Sequence, residues 1–238
     1  MIRTKKENSI EAAYFARQGL GLVLTDEEKI KLKQFLNQID DPIEVYVIPD
    51  NGDDNNDGLS NNNAMKTLSS AFKKYQNYNK ITFHVFGQIH PNIQDIGDIE
   101  LINKDIEIKS GARGLYIKGK FNLINSRLII EGPTPLGYQL QIESTVPGNS
   151  IFHLDRNSIL KLYCIGIDCS QNGAIPIMAR SSKIYVRSST ITTKEDPDAE
   201  GGGLIVDAIW AEDLCEIALQ ESLINGPINT DNSCTIIK

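Results

Sequence analysis

A recurring ten-residue pattern in the second half of the chain is the feature that most restricts its fold. Small or polar residues, such as Asn125 and Ser126, separate two apolar clusters in each copy. The apolar-x-apolar start predicts a short strand with one buried face, and the polar residues predict a corner before a second strand. Five segments have apolar residues at positions one, three and eight; they begin at Ile99 (IELINKDIEI), Phe121 (FNLINSRLII), Leu160 (LKLYCIGIDC), Ile184 (IYVRSSTITT) and Ile217 (IALQESLING).

The spacing of the copies predicts a solenoid. They begin 22, 39, 24 and 33 residues apart, and the two longer intervals contain Pro-, Gly- or acid-rich insertions, residues 131–149 and 193–203. Such insertions are typical of loops, and a period of about 20–25 residues is typical of solenoids. A leucine-rich repeat is the alternative, but Ile and Val replace Leu at many of these positions. We therefore predict a mainly β chain whose body, residues 81–238, is a single-stranded parallel β-helix of about five short coils.

An Asp/Asn/Gly-rich stretch, VIPDNGDDNNDGLSNNNAMKTLSSAF at residues 47–72, lies ahead of the repeats. Asp53, Asn55, Asp57 and Gly58 match the first half of an EF-hand loop, where oxygen ligands alternate and glycine permits the sharp turn. The twelfth position is Ala64, which cannot supply the bidentate carboxylate that calcium needs there. The sequence therefore predicts a turn-rich loop and no metal site.

The stretch from residue 45 to residue 72 resembles the entrance segment of right-handed parallel β-helix proteins of the pectate-lyase-like superfamily. This superfamily includes many bacteriophage tail-spike and tail-fibre proteins. In the entrance segment a strand leads to a Gly/Asp/Asn turn and then to a Thr-containing stretch that forms a short helix over the first coil. The Pro-Phe that usually precedes Lys-Thr is replaced by Ala64-Met65. The residues that match are Tyr46, Val47, Gly52, Asp53, Asn56, Asp57, Gly58, Lys66, Thr67, Ala71 and Phe72.

Residues 43–80 are accordingly expected to form an entrance strand, the loop and a capping helix. Leu68, Ala71, Phe72 and Tyr75 fall on one helical face, at spacings of three, four and seven. An open solenoid end exposes strand edges and apolar interior, so this face is predicted to cover the first coil.

Residues 1–42 are predicted to form an α-helical N-terminal region. Thr25 and Glu28 form a capping box for a helix over residues 26–39, and residues 10–20 favour a second short helix. These helices either pack on the first coil or form an attachment or oligomerisation module. The tail-spike resemblance implies the module, with other phage tail or baseplate proteins as its partners.

Charge and composition exclude several classes of protein. The net charge is −7, which disfavours a nucleic-acid partner because phosphate contacts need a basic face. No apolar run approaches the roughly 20 residues that cross a bilayer, so we expect no membrane insertion. Arg3, Lys5 and Lys6 are followed by no hydrophobic core, and we expect no signal peptide and folding in a cytoplasm. The four cysteines have no CxxC spacing, so reduced thiols and no cofactor are expected.

A polysaccharide lyase or hydrolase would need acidic residues converging on one face of successive coils. A gapless alignment of residues 154–167 with residues 178–191 places Asp155 against Ala179, and Arg156 against Arg180. It therefore predicts no stacked carboxylate pair and no catalytic residue. The candidates for contact with a glycan are Trp210, Glu212, Asp213, Asp155 and Arg156; for Trp210, a place in the core or between subunits is the alternative.

The resemblance implies a non-enzymatic bacteriophage or prophage tail component in the virion tail. Such a short fibre, spike or baseplate-associated protein takes part in host attachment and contacts host surface glycan. β-Helical tail proteins associate as three-fold bundles, so a homotrimer is expected, with Trp210, Ile236 and Ile237 near the shared surface. The alternatives are a polysaccharide-degrading β-helix enzyme and a bacterial β-helical surface protein.

Overall fold

The described part of the protein is mainly β, with parallel sheets. A computed structural model describes residues 42–87, 92–111, 115–133, 140–143, 150–169, 175–193, 195–196, 204–205 and 207–237. The helices predicted within residues 1–41, and most of the two insertions, lie outside the described residues. No helix in the part that is described is long and apolar enough to cross a membrane.

Among the described residues, one α-helix, α1 at Leu68–Lys74, and one 3-10 turn at Asn61–Asn63 accompany the strands. The strands in chain order are β1 Ile43–Val47, β2 Lys80–Val85, β3 Asn92–Ile102, β4 Asp105–Ser110, β5 Leu115–Ile124, β6 Arg127–Glu131, β7 Leu140–Glu143, β8 Phe152–Asp155, β9 Ile159–Tyr163, β10 Ile165–Cys169, β11 Ile177–Arg180, β12 Lys183–Arg187, β13 Thr190–Thr193, β14 Glu195–Asp196, β15 Leu204–Ile205, β16 Ile209–Glu212, β17 Glu216–Gln220, β18 Leu223–Asn225, β19 Ile228–Thr230 and β20 Thr235–Ile237.

Two large parallel sheets contain all of these strands except β14 and β15, which pair with each other. The first sheet has the order β1-β2-β4-β6-β9-β12-β17-β20. The second sheet divides at β5, whose first half pairs with β7 and whose second half pairs with β8. One branch continues through β10 and β13 to β18, and the other continues through β11 and β16 to β19. The chain thus visits the first sheet, the first branch and the second branch in turn, and each such circuit returns it one strand further along.

Equivalent residues of successive circuits stack in register. The side chains alternate along each strand, as in β5, where buried and partly exposed residues follow one another. Apolar positions of the same face therefore lie above each other and exclude water from a continuous core. The first-sheet column consists of Ile43, Ile81, Ile106, Leu128, Leu160, Ile184, Ile217 and Ile236.

The predicted alignment of five repeat copies is wrong in one respect, because it joins two different faces. Ile99 and Phe121 pair in the second branch, whereas Leu160 pairs with Ile184 in the first sheet. The first-sheet partner of Leu160 in the preceding circuit is Leu128. The 39-residue interval from Phe121 to Leu160 therefore consists of one full circuit plus the step from the second branch to the first sheet.

Candidate functional site

The Asp/Asn/Gly loop is held together by its own side chains. Asp53 Oδ1 accepts a hydrogen bond from the backbone N–H of Asn55 at 2.9 Å, and Asp57 Oδ1 accepts one from Leu59 at 2.9 Å. Both are local turns in which a side chain replaces a backbone acceptor. Within the described residues, no three His, Cys, Asp or Glu side chains are grouped as they would be around a metal ion.

Asp54, which has no part in the family resemblance, anchors the start of α1. Its Oδ1 accepts hydrogen bonds from the backbone N–H groups of Lys66 at 3.0 Å and Thr67 at 2.8 Å, and its Oδ2 accepts one from the Thr67 hydroxyl at 2.9 Å. Partial burial raises the Asp54 pKa, but these hydrogen bonds outweigh that effect and leave the pKa below its usual value. Thr67 is itself the N-cap and accepts from the N–H of Ser70 at 3.2 Å. Sequence reasoning missed Asp54 because no local pattern separates it from Asp53.

The apolar face of α1 lies within the core. Leu68, Ala71, Phe72 and Tyr75 are all buried. The Phe72 ring lies 4.5 Å from that of Phe83 in the first sheet and 6.2 Å from that of Phe121 in the second. The helix therefore packs against both sheets, in the position in which the sequence predicts a cap.

Trp210 lies on an outward row of the second branch. The indole is half-buried and does not belong to the buried core. Next to it, Asn229 donates a hydrogen bond to Asp207 at 3.3 Å. Desolvation and the positive charge of Lys120 lower the pKa of His153, against the opposing charge of Asp155. The row consists of Glu100, Asn122, His153, Met178, Trp210 and Asn229.

A charged row runs beside the indole. Arg180 pairs in register with Glu212, and its Nη2 lies 2.6 Å from the Glu212 Oε1. The Arg180 Nε lies 3.3 Å from Asp213 Oδ2. The hydrogen bond and charge of Glu212 raise the pKa of Arg180, with smaller contributions from Asp213 and Asp155. Arg156 Nε is 3.9 Å from Asp155 Oδ2, so all five predicted glycan-contact residues fall on this face or its corners.

The observed register corrects the gapless alignment of these two circuits. Leu154 pairs with Ala179, so Asp155 aligns with Arg180 and not with Ala179. In the first sheet, residue 160 lies opposite residue 184, which is the offset that the alignment assumed throughout. In the second branch the offset is one residue longer.

The corners between the second branch and the first sheet explain this difference. The corner after β8 has two residues with positive φ, Arg156 at 54° and Asn157 at 62°, whereas the corner after β11 has only Ser181 at 47°. Asp213 and Leu214 form a second two-residue corner, with φ of 58° and 64°. One extra residue in the left-handed conformation lengthens the corner but leaves the strands on both sides of it intact. The residue offset between neighbouring circuits therefore changes on one face and stays the same on the other.

The face around Trp210 combines an aromatic side chain with polar and charged groups. A half-exposed indole beside amide, carboxylate and guanidinium groups offers both the apolar area and the hydrogen-bonding groups that ligand contact requires. Arg180 stands between Asp155 and Glu212 in the row and forms an ion pair with Glu212. The carboxylate beside the indole is therefore engaged by a cation.

Comparison of the chain with protein-family profiles, with curated proteins and with solved structures gave no match.

Proposed function

We propose that the described strands form a right-handed parallel β-helix of the pectate-lyase-like type. Three observations support this fold. From β2 onward the chain visits the same three strand stacks in the same order, and the aliphatic column of the first sheet is in register along its whole length. In addition, α1 buries its apolar face against the first circuits, as a cap of such a solenoid would.

The function proposed for this β-helix is that of a non-enzymatic tail component of a bacteriophage or prophage, a fibre, spike or baseplate-associated protein that takes part in host attachment. The proposal that the protein is not an enzyme is supported by the ion pairing of Arg180 with Glu212 and Asp213. A glycosidase needs a carboxyl group free to protonate a leaving group and a second one facing it. The carboxylates beside Trp210 are instead engaged by one guanidinium.

The outward face around Trp210 is proposed as the contact for host surface glycan. Incubation with a panel of bacterial surface polysaccharides is expected to give binding without release of reducing ends or unsaturated uronates. Trp210→Ala should weaken binding at least tenfold, because it removes the apolar platform. Tyr116→Ala, which alters an outward aromatic residue of the other branch, is the matched control and should leave binding unchanged.

Two outcomes would overturn the proposal separately. Release of sugar products, abolished by Glu212→Gln, would establish the polysaccharide-degrading alternative. Mass spectrometry of phage particles induced from the source strain is expected to find the chain among the tail proteins. Its absence from purified particles, with the chain found on the cell surface, would favour the bacterial surface protein.

Self-association as a homotrimer is proposed from the last circuit. The side chains of Leu223, Ile236 and Ile237 are 58%, 38% and 52% exposed, and Ile236 ends the first-sheet column in which Ile217 and Ile184 are buried. An opening of about 950 Å³ is lined by Leu223 and Ile236, together with Leu219 and Ile224. Three copies related by rotation would cover these surfaces mutually, since symmetry brings the same patch together.

Light scattering is expected to give a mass of three times the 26.4 kDa chain. Ile236→Glu with Ile237→Glu should lower that mass to the monomer, because charge on both residues opposes burial of the shared surface. Lys66→Glu, an exposed position near α1, is the control and should leave the trimer intact. A parent protein that stays monomeric at micromolar concentration would contradict the proposal.

A further inference from the structure

Cys215 and Cys234 occupy the same position in adjacent circuits. Each immediately precedes a strand of the first sheet, and these strands pair with Glu216 opposite Thr235. The Thr235 N–H donates to the Cys215 carbonyl at 2.8 Å, which continues the ladder through the corner. The two cysteines are 19 residues apart in sequence, and only the circuit between them brings them together.

In three earlier circuits the equivalent position is a buried serine. Ser126, Ser158 and Ser182 follow the left-handed corner residue, and each hydroxyl donates to a backbone carbonyl of its corner. The Ser126 N–H also donates to the Ser158 hydroxyl at 3.3 Å, so each side chain lies directly against the next circuit. Cys215 and Cys234 therefore continue a column of small inward-pointing side chains.

The thiols contact their surroundings as the hydroxyls do. The Cys215 thiol donates to the Glu212 carbonyl at 3.2 Å, and the Cys234 thiol is 3.4 Å from the Ala211 carbonyl. Neighbouring parallel strands lie about 4.8 Å apart, which falls inside the Cα separation of about 4.4–6.8 Å that disulfides use.

We propose that Cys215 and Cys234 are a dithiol–disulfide site that fastens the last circuit of the solenoid. The oxidant is a low-molecular-weight disulfide such as oxidised glutathione. The Cys234 thiolate, on the more exposed side chain, attacks one sulfur of the oxidant and releases the first glutathione thiolate. The Cys215 thiolate then attacks the Cys234 sulfur of this mixed disulfide and releases the second. Both cysteine protons end on glutathione, and the two cysteine sulfurs are oxidised as the oxidant is reduced.

The bond would join β17 to β20 around the circuit that contains β18 and β19. This circuit bears the exposed apolar side chains of Leu223, Ile236 and Ile237, and among the described strands β20 pairs on one side only, so this circuit opens readily. Closing its loop covalently reduces the conformational entropy of the opened state. The inference does not depend on the proposed tail function, because it rests on the register of the two strands alone.

The environment of the pair makes oxidation slow at neutral pH. Burial and the hydrogen bond to Asp231 raise the pKa of Cys234 to about 11, and burial raises the pKa of Cys215. Only the thiolate attacks, and below the pKa its fraction grows about tenfold for each unit by which the pH rises. The rate of closure should therefore rise steeply between neutral and mildly alkaline pH.

The test uses the reduced full-length protein, incubated with oxidised glutathione at about pH 7.5 and pH 8.5, acid-quenched and alkylated before digestion. A peptide cross-linking Cys215 to Cys234 is expected, forming about tenfold faster at the higher pH. Amide exchange in β20 should slow in the oxidised protein and return to its original rate on reduction.

Cys215→Ser is the decisive variant, because serine already occupies the equivalent position in three circuits and should preserve the fold. It is expected to abolish the cross-link, whereas Cys164→Ser should retain it. A product in which Cys234 carries only glutathione, or a cross-link that involves Cys164 or Cys169, would overturn the proposal. Unchanged amide exchange in β20 of the cross-linked protein would overturn the fastening role.

Discussion

Phe72→Asp is expected to lower the free energy of unfolding by about 4 kcal/mol, because it disrupts the contact between α1 and both sheets. Phe72 is buried at the centre of this contact, with Phe83 at 4.5 Å and Phe121 at 6.2 Å between ring centroids. The Phe121 ring in turn stacks on Phe152 at 5.6 Å. The substitution removes the contacts of the Phe72 ring with Phe83 and Phe121, and it places an unpaired carboxylate among aromatic rings.

Chemical denaturation followed by circular dichroism measures this effect. Ser69→Asp is the matched control, since it adds the same carboxylate to an exposed position in the first turn of the same helix. A negative charge near a helix N-terminus is neutral or slightly favourable, so the control should stay within about 0.5 kcal/mol of the parent. Equal stability of Phe72→Asp and the parent would show that α1 is no cap.

Gly52→Ala is expected to destabilise the protein by about 3 kcal/mol, because no space exists for a methyl group. A Cβ on Gly52 would lie 2.3 Å from the Met65 carbonyl oxygen and 2.7 Å from that of Ile48. Both oxygens are backbone atoms that hold the loop closed. The N–H of Ile48 donates to the Met65 oxygen at 2.8 Å, and the N–H of Gly52 donates to the Ile48 oxygen at 2.7 Å.

Gly97→Ala separates this steric effect from an ordinary backbone effect. Gly97 has φ of 63° but nothing within 4 Å of an added Cβ, so alanine there meets only the penalty of the left-handed conformation. That penalty is about 1 kcal/mol. Thermal melting should therefore separate the two variants clearly. If Gly52→Ala proves no worse than Gly97→Ala, the loop is able to move away from the entrance strand.

Sequence reasoning located the elements whose signals are local. Strands with alternating burial occur where the apolar-x-apolar starts lie, as in β9 and β12. The buried positions of α1 follow from helical periodicity, which depends on residues within one or two turns of each other. The same reasoning identified the Asp/Asn/Gly stretch as a turn-rich loop.

Local sequence signals could not show which sheet or branch a strand joins, or how many residues separate equivalent positions of neighbouring circuits. The corner Asn125-Ser126 leaves the second branch and the corner Ser188-Ser189 leaves the first sheet, yet both consist of a left-handed residue followed by a buried serine. The two corner types are alike in sequence, so the repeat alignment matched strands of the second branch with strands of the first sheet. Because the corner at Arg156 and Asn157 has two residues, the residue opposite Asp155 in the next circuit differs by one position from that in the gapless alignment.

The sequence by itself determined what kind of strand and corner each segment forms, because periodicity and turn chemistry act over a few residues. Only the tertiary structure decided which residues of different circuits meet, since each corner and insertion changes the offset between faces. The ion pair of Arg180 with Glu212 and the placement of Cys215 beside Cys234 both depend on those offsets. Contacts between neighbouring circuits favour in-register columns of like side chains. The register therefore depends on the packing of several circuits together and cannot be obtained from a single repeat.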